Sequence, residues 1–315
     1  GNIILKKVKV VVIVFILLMT ACNNEGAGGT SENSDEQTIQ VVTTFFPLYD
    51  LAREIGGSHV EVTNLVPSGV EPHDWQPGSR DMIRMTSADL FIYNGAGLEG
   101  WVESFIASLD EKGPYVQAGA AGISLIGAEE HELEAGHDHV HGPNDPHAWV
   151  SPLQAMKYAA NIKDALIRID PEHRQAYERN YNELLKQLEA IHEEYNTLAE
   201  QSSNKDFVVS HDAFAYLARD YGLRQHAIMG LSPDAEPTRQ QISDISQFIR
   251  NHGIKTILFE EFVSPKLAQV LADDLNVETM VIHSLEGLTE EQEARGETYL
   301  SLMRDNRDIL EQALR

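Results

Sequence analysis

Between Pro171 and Gln201 the chain reads PEHRQAYERNYNELLKQLEAIHEEYNTLAEQ, about thirty residues with no internal glycine or proline. Tyr177, Tyr181, Leu184, Leu185, Leu188, Ile191 and Tyr195 recur at helical spacing and form one apolar stripe. Pro171 suits a first helical turn, and Asp170 stands where a cap belongs. At about 1.5 Å per residue such a helix is about 45 Å long. That is enough to run the length of a body with two lobes, so the pattern on either side of it decides the fold.

Both sides alternate strand with helix. Before the helix, IQVVTTFF (39–46), HVEVTNLV (59–66) and ADLFIYNG (88–95) read as strands, with GISLIG (122–127) as a fourth. Helical stretches fall up to Ile55, around Arg80 to Met85, at Glu99 to Leu109 and over 153–168. After it, DFVVSH, LRQHAIMG, KTILFEE and ETMVIHS are strands. Helices are expected at Phe214 to Tyr221, Arg239 to Asn251, Pro265 to Leu275 and Glu290 to Leu314. Alternation of this kind builds mainly parallel sheets. The expected fold is α/β: two lobes, each a roughly four-stranded parallel sheet flanked by helices, joined by the connector. The boundaries expected are 38–169 and 204–315 for the lobes and 170–203 for the connector. A ligand belongs between the lobes, at the carboxyl ends of the strands.

The first residues are of another kind. Lys6, Lys7 and Lys9 precede ten apolar residues from Val10 to Met19. A spanning helix needs about 20, so residues 1–21 read as a signal peptide. It ends in MTAC, similar to a lipobox, and Cys22 is the only cysteine of the 315 residues. Lipid attachment at Cys22 is the expectation. A disulfide within the chain and a cysteine-held metal are both excluded. Residues 22–37, rich in Gly, Ser, Asn and acids, read as a flexible tether. The formal net charge of −25 argues against nucleic acid as a partner.

Thirteen histidines are present, and three of them end strands abruptly. His73 lies in VPSGVEPHDWQP and His147 in NDPHAWVSP; both have the form Pro-His-x-Trp. The prolines restrict the backbone before each ring, and Trp75 and Trp149 offer apolar walls. His211 follows DFVVS and opens the segment DAFAYLARDYG. Rings fixed in this way suit a metal, because neutral imidazole binds zinc and its surroundings set the affinity. The three are separated by 74 and 64 residues, so each comes from a different loop. Zinc takes four donors in a closed site. The fourth is Glu286 or His283, both after the last strand.

These pieces resemble the metal-binding solute-binding proteins of bacterial ABC transporters, particularly the zinc-uptake receptors. The segments that carry the resemblance are TTFFPLYDLAREIGG, LVPSGVEPHDWQP, DPHAWVSP, SHDAFAYLARDYGL and SLEGLTEEQEARGETYLSLMRDN, in order along nearly the whole chain beyond the tether. The resemblance implies His73, His147 and His211 as zinc ligands with Glu286 as the carboxylate ligand. It implies two lobes on four-stranded parallel sheets, and delivery of the metal to an ABC permease with its ATPase subunit. A third imidazole at His211, where manganese-type relatives carry a carboxylate, favours Zn²⁺ over Mn²⁺. The Asn-Pro pair expected before the leucine of IHSLEG is absent.

The expectation is therefore a monomeric, non-enzymatic zinc receptor, lipid-anchored on the outer face of the cell membrane, or periplasmic in a cell with two membranes. Its rivals are a manganese receptor of the same family and, from another class, a zinc hydrolase using Glu71, Glu260 or Glu261 as base. The stretch 129–142, EEHELEAGHDHVHG, is a separate object, with histidines and acids and no apolar period. It reads as a loop in which His131, His137, His139 and His141 gather zinc weakly.

Overall fold

Two parallel sheets of the same plan organise the chain in a computed structural model, which describes residues 38–127, 144–231 and 237–315. The first holds β1 (Ile39–Thr43), β2 (Val60–Asn64), β3 (Leu90–Tyr93) and β4 (Tyr115–Ala118), in the order β2-β1-β3-β4. The second holds β5 (Asp206–Val209), β6 (Arg224–Ala227), β7 (Thr256–Glu260) and β8 (Glu278–Ile282), in the order β6-β5-β7-β8. Val41 pairs with Val62 and Leu90, and Val208 with His226 and Ile257. In each sheet the first strand is central, the second lies on one side and the third on the other. The order reverses there, and this is where open parallel sheets bind ligands. The inner strands are nearly all apolar and buried, as parallel strands covered on both faces must be.

The helices are α1 (Phe46–Gly56), α2 (Ser79–Ser87), α3 (Val102–Ser108), α4 (Pro152–Ile169), α5 (Arg174–Gln201), α6 (Ala215–Tyr221), α7 (Arg239–His252), α8 (Lys266–Leu275), α9 (Glu290–Ala294) and α10 (Tyr299–Ala313). The long connector α5 buries Tyr177, Leu184, Leu188, Ile191 and Tyr195, the predicted stripe, while Tyr181 and Leu185 stay at its margin. It packs along α4, α1 and α10. The Tyr195 hydroxyl donates to the Met303 carbonyl at 2.7 Å, tying α5 to α10. One buried cluster runs from Phe45, Leu90 and Tyr158 on the first side to Phe207, Leu258 and Tyr299 on the second. The two sheets are thus joined by shared core as well as by the connector.

Three expectations are corrected. The fourth strand of the first sheet is Tyr115–Ala118, not 122–127. After Ala118 the chain turns, with Gly122 at φ 73°, and leaves the sheet. The Ile126 amide then donates to the Tyr216 hydroxyl at 3.0 Å, so this segment serves the other half of the molecule. The C-terminal helix is two, because Gly296 at φ 71° breaks it and Thr298 caps α10 by accepting from the Ser301 amide. Pro171–His173 forms a single 3₁₀ turn before α5, and Asp170 does not cap it. The Asp170 carboxylate accepts from His173 Nδ1 at 2.7 Å and the Tyr177 hydroxyl at 2.5 Å instead.

Candidate metal centre

His73 follows β2 in a turn stiffened by Pro67, Pro72 and Pro77. Its amide donates to Glu71 Oε1 at 3.0 Å, and Gly69 of the same turn donates to the Leu288 carbonyl of the second half at 2.8 Å. His147 precedes the 3₁₀ turn Ala148–Val150 that leads into α4. His211 follows the end of β5, and Glu286 lies four residues beyond the end of β8. Leu285, wholly buried, sits at φ 61° just before Glu286. A leucine adopts that left-handed backbone only where packing holds it there. Gly287 follows, where a Cβ would sit 3.5 Å from the Phe262 ring. His73, His211 and Glu286 therefore stand beyond the carboxyl ends of strands and His147 in the turn before α4, two donors from each half.

The four side chains converge. His147 Nε2 lies 3.0 Å from His73 Nε2 and 3.4 Å from His211 Nε2. Glu286 Oε1 lies 3.3 Å from His73 Nε2 and 3.6 Å from His147 Nε2. One donor atom from each of the four falls within 4.8 Å of all the others. Four donors placed tetrahedrally about 2.0–2.1 Å from a zinc ion are separated by about 3.3 Å from one another. His73, His147 and Glu286 stand at 3.0–3.6 Å from one another and His211 at 3.4 Å from His147, close to that value, with all four donors inside 4.8 Å.

Buried carboxylates orient the rings. Asp145 Oδ1 accepts from both the amide of His147, at 2.9 Å, and its Nδ1, at 2.7 Å. An ionised carboxylate only accepts, so the proton sits on Nδ1 and the lone pair of Nε2 faces the cluster. Glu260, at the end of β7, accepts from the Ser210 hydroxyl and lies 3.6 Å from His211 Nδ1. That separation is an ion-pair contact rather than a hydrogen bond. Burial and charge act against each other here. Burial pulls His211 down, but Glu260 and Glu286 push it up to about 9. Burial likewise opposes the shift at His73, whose value rises because Glu286 and Glu71 favour the imidazolium. At His147 burial prevails over Asp145, and the value falls. Burial would raise the Glu286 carboxyl, yet the His73 hydrogen bond and the three rings hold it at about 2. Glu286 is thus an ionised acceptor aimed at a place where positive charge is wanted.

A family model described as zinc-uptake complex component A, periplasmic, matches residues 41–313. The chain belongs to this family. Its relatives include the high-affinity zinc uptake system protein ZnuA of Bacillus subtilis (strain 168), 36% identical over 296 residues, covering 93% of this chain and 92% of that protein. The zinc-binding lipoprotein AdcA of Streptococcus pneumoniae serotype 4 is 35% identical over 288 residues, but this chain spans only 57% of its length. The Zn(II)-bound ZnuA-like domain of Streptococcus pneumoniae AdcA superposes with a TM-score of 0.77 at 34% identity, covering 88% of this chain and 99% of that one. The zinc-uptake family thus accounts for the paired four-stranded sheets and the long helix between them.

Of the two residues left open for the fourth position, Glu286 joins the cluster and His283 does not. His283 Nδ1 instead lies 3.5 Å from Glu261 Oε2 and 3.3 Å from Gln292 Nε2. Trp149 is fully buried with its ring 5.1 Å from that of His147, as expected of an apolar wall. Trp75 is half-buried and packs on Trp101 at 6.0 Å. Cys22 and the loop histidines His131, His137, His139 and His141 lie outside the described residues. Asp145 and Glu260 as orienting groups escaped the sequence reading. Asp145 carried a usable signal, two residues before His147 inside the same proline-bracketed turn.

Proposed function

We propose that His73, His147, His211 and Glu286 bind one Zn²⁺, and that the protein captures the ion outside the cell membrane and hands it to an ABC permease for uptake. What carries this reading is the donor set: three imidazole nitrogens and an ionised carboxylate from loops of both halves, gathered within 4.8 Å of one another. Three nitrogen donors suit zinc, whereas manganese prefers more oxygen. Four protein donors fill a tetrahedral ion and leave no position for a reactive water, which suits carriage rather than hydrolysis. No helix among the described residues is long and apolar enough to cross a membrane, and Cys22 is the residue we assign to lipid anchoring. The loop histidines His131, His137, His139 and His141 gather zinc weakly in this reading; deleting 130–141 removes weak equivalents and spares the tight one. The test is competitive titration of the metal-free protein with Zn²⁺ and Mn²⁺. Near one tight zinc per chain, displaced poorly by manganese, is expected. Tighter manganese binding, or no zinc binding, overturns the reading.

A further inference from the structure

The four donors stand at the bottom of a gradient of exposure. The side chain of His147 is 0% exposed, His211 1%, Glu286 2% and His73 4%. Glu71, two residues before His73, is 19% exposed. Among these residues Glu71 and then His73 are the most exposed to water.

The two oxygens of Glu71 differ. Oε1 accepts the His73 amide at 3.0 Å and lies 3.9 Å from His73 Nε2. Oε2 is buried and has no hydrogen-bond partner. A buried carboxylate oxygen without a partner is a cost to the fold. The turn itself needs only Oε1, which a neutral glutamine would supply equally. The charge faces the His73 ring at 3.9 Å, but the second oxygen has no use in the turn, and it sits beside the most accessible of the four donors.

We propose that Glu71 is an inlet ligand: it takes the hydrated ion first, holds it while waters leave, and passes it to His73 and then to the buried set. The same carboxylate receives the ion on the way out. The proposal rests on the zinc-site reading above and adds the path. Zinc tolerates a fifth donor in passing, so a carboxylate at the inlet lets donors exchange one at a time without a bare ion. A metal site needs an access path of this kind.

The test compares Glu71→Gln with the unaltered protein by stopped-flow zinc association and by zinc release to an excess of chelator. The glutamine keeps the acceptor for the His73 amide and removes the charge. Association and release are both expected to slow by about tenfold, the low end of what charge at a cleft mouth contributes to an on-rate. Equilibrium affinity is expected to change less than either rate, and Glu71→Asp to recover part of both. Faster release overturns the proposal, because it makes Glu71 a group that holds the bound ion. Unchanged rates overturn it too, leaving Glu71 a turn-former. Failure of the unaltered protein to bind zinc overturns the zinc-site reading itself, so the two failures are distinct.

Discussion

The indole Nε1 of Trp149 donates to the carbonyl of Ser284 at 2.9 Å. Two residues before Trp149 stands His147, and two residues after Ser284 stands Glu286, so this one bond ties together donor segments from the two halves. The carbonyl of Trp149 in turn accepts from the Tyr299 hydroxyl. Phe45 packs edge-on against the indole at 4.8 Å. Trp149→Phe keeps most of the apolar bulk but leaves the buried Ser284 carbonyl without this donor. A stability loss of about 1–3 kcal/mol is expected in thermal or denaturant unfolding. The rise in melting temperature on adding zinc should also shrink, since the Glu286 segment loses its anchor. Trp75→Phe, at a half-buried position, serves as the control and should leave the zinc effect intact.

Asp145→Asn tests ring orientation. The amide offers either an acceptor or a donor toward His147 Nδ1, and the charge that stabilises the bound ring is lost. Zinc affinity should fall about 10–100-fold, the usual effect of removing such an orienting partner. Calorimetric titration reads it; an unchanged affinity removes Asp145 from the site's machinery.

Acid should weaken zinc binding, with protons and metal competing for the same nitrogens. His211 is held at about 9, so it favours the proton at neutral pH in the metal-free protein, and the neighbouring carboxylates raise His73 as well. Binding at pH 7 therefore releases the His211 proton, and affinity should go on climbing until pH passes about 9. Titrations in buffers of different ionisation enthalpy measure the protons released. No buffer dependence at pH 7 would contradict the assignment.

Asp50, on α1, accepts from the Tyr299 amide at the start of α10 at 2.8 Å, joining the two halves. Burial raises its carboxyl to about 6 against the lowering effect of that amide. The folded state then holds the proton more tightly than the unfolded chain. Its contribution is full below about pH 4 and is lost as pH rises through about 6. The loss amounts to about 3 kcal/mol at neutral pH, from about two pKa units. Asp50→Asn should be more stable than the parent at pH 7, and the advantage should vanish near pH 4. Equal pH profiles for the two proteins in urea unfolding would sink this account of Asp50.

Much of this architecture was legible. The stripe from Tyr177 to Tyr195 could only be a long one-faced helix, and the strand–helix alternation on both sides of it dictated parallel sheets. The site histidines were legible because prolines and strand ends isolate them. What stayed hidden depends on tertiary partners. The edge strand Tyr115–Ala118 is short and only half-buried, so it lacks the apolar run that marks its neighbours. The stretch 122–127 looked more like a strand, yet the Ile126 amide goes to the Tyr216 hydroxyl, its carbonyl accepts from the Asp145 amide, and Gly127 forms an isolated antiparallel bridge with Asn144. Gly296 and Thr298 did announce the break in the last helix, but the apolar spacing continues across it. Glu71 and Glu260 were visible only as available carboxylates. Nothing local distinguishes one that orients a ring from one that faces water, since that follows from where β7 and the turn after β2 come together in space.

The most direct test of the zinc site is a crystal structure of the zinc-loaded protein with anomalous data on both sides of the zinc edge. The expected result is a single strong peak about 2.0–2.1 Å from Nε2 of His73, His147 and His211, and about 2.0–2.2 Å from a Glu286 oxygen. A peak lacking any one of these four donors, or an ion held elsewhere in the described body with this cluster empty, would contradict it.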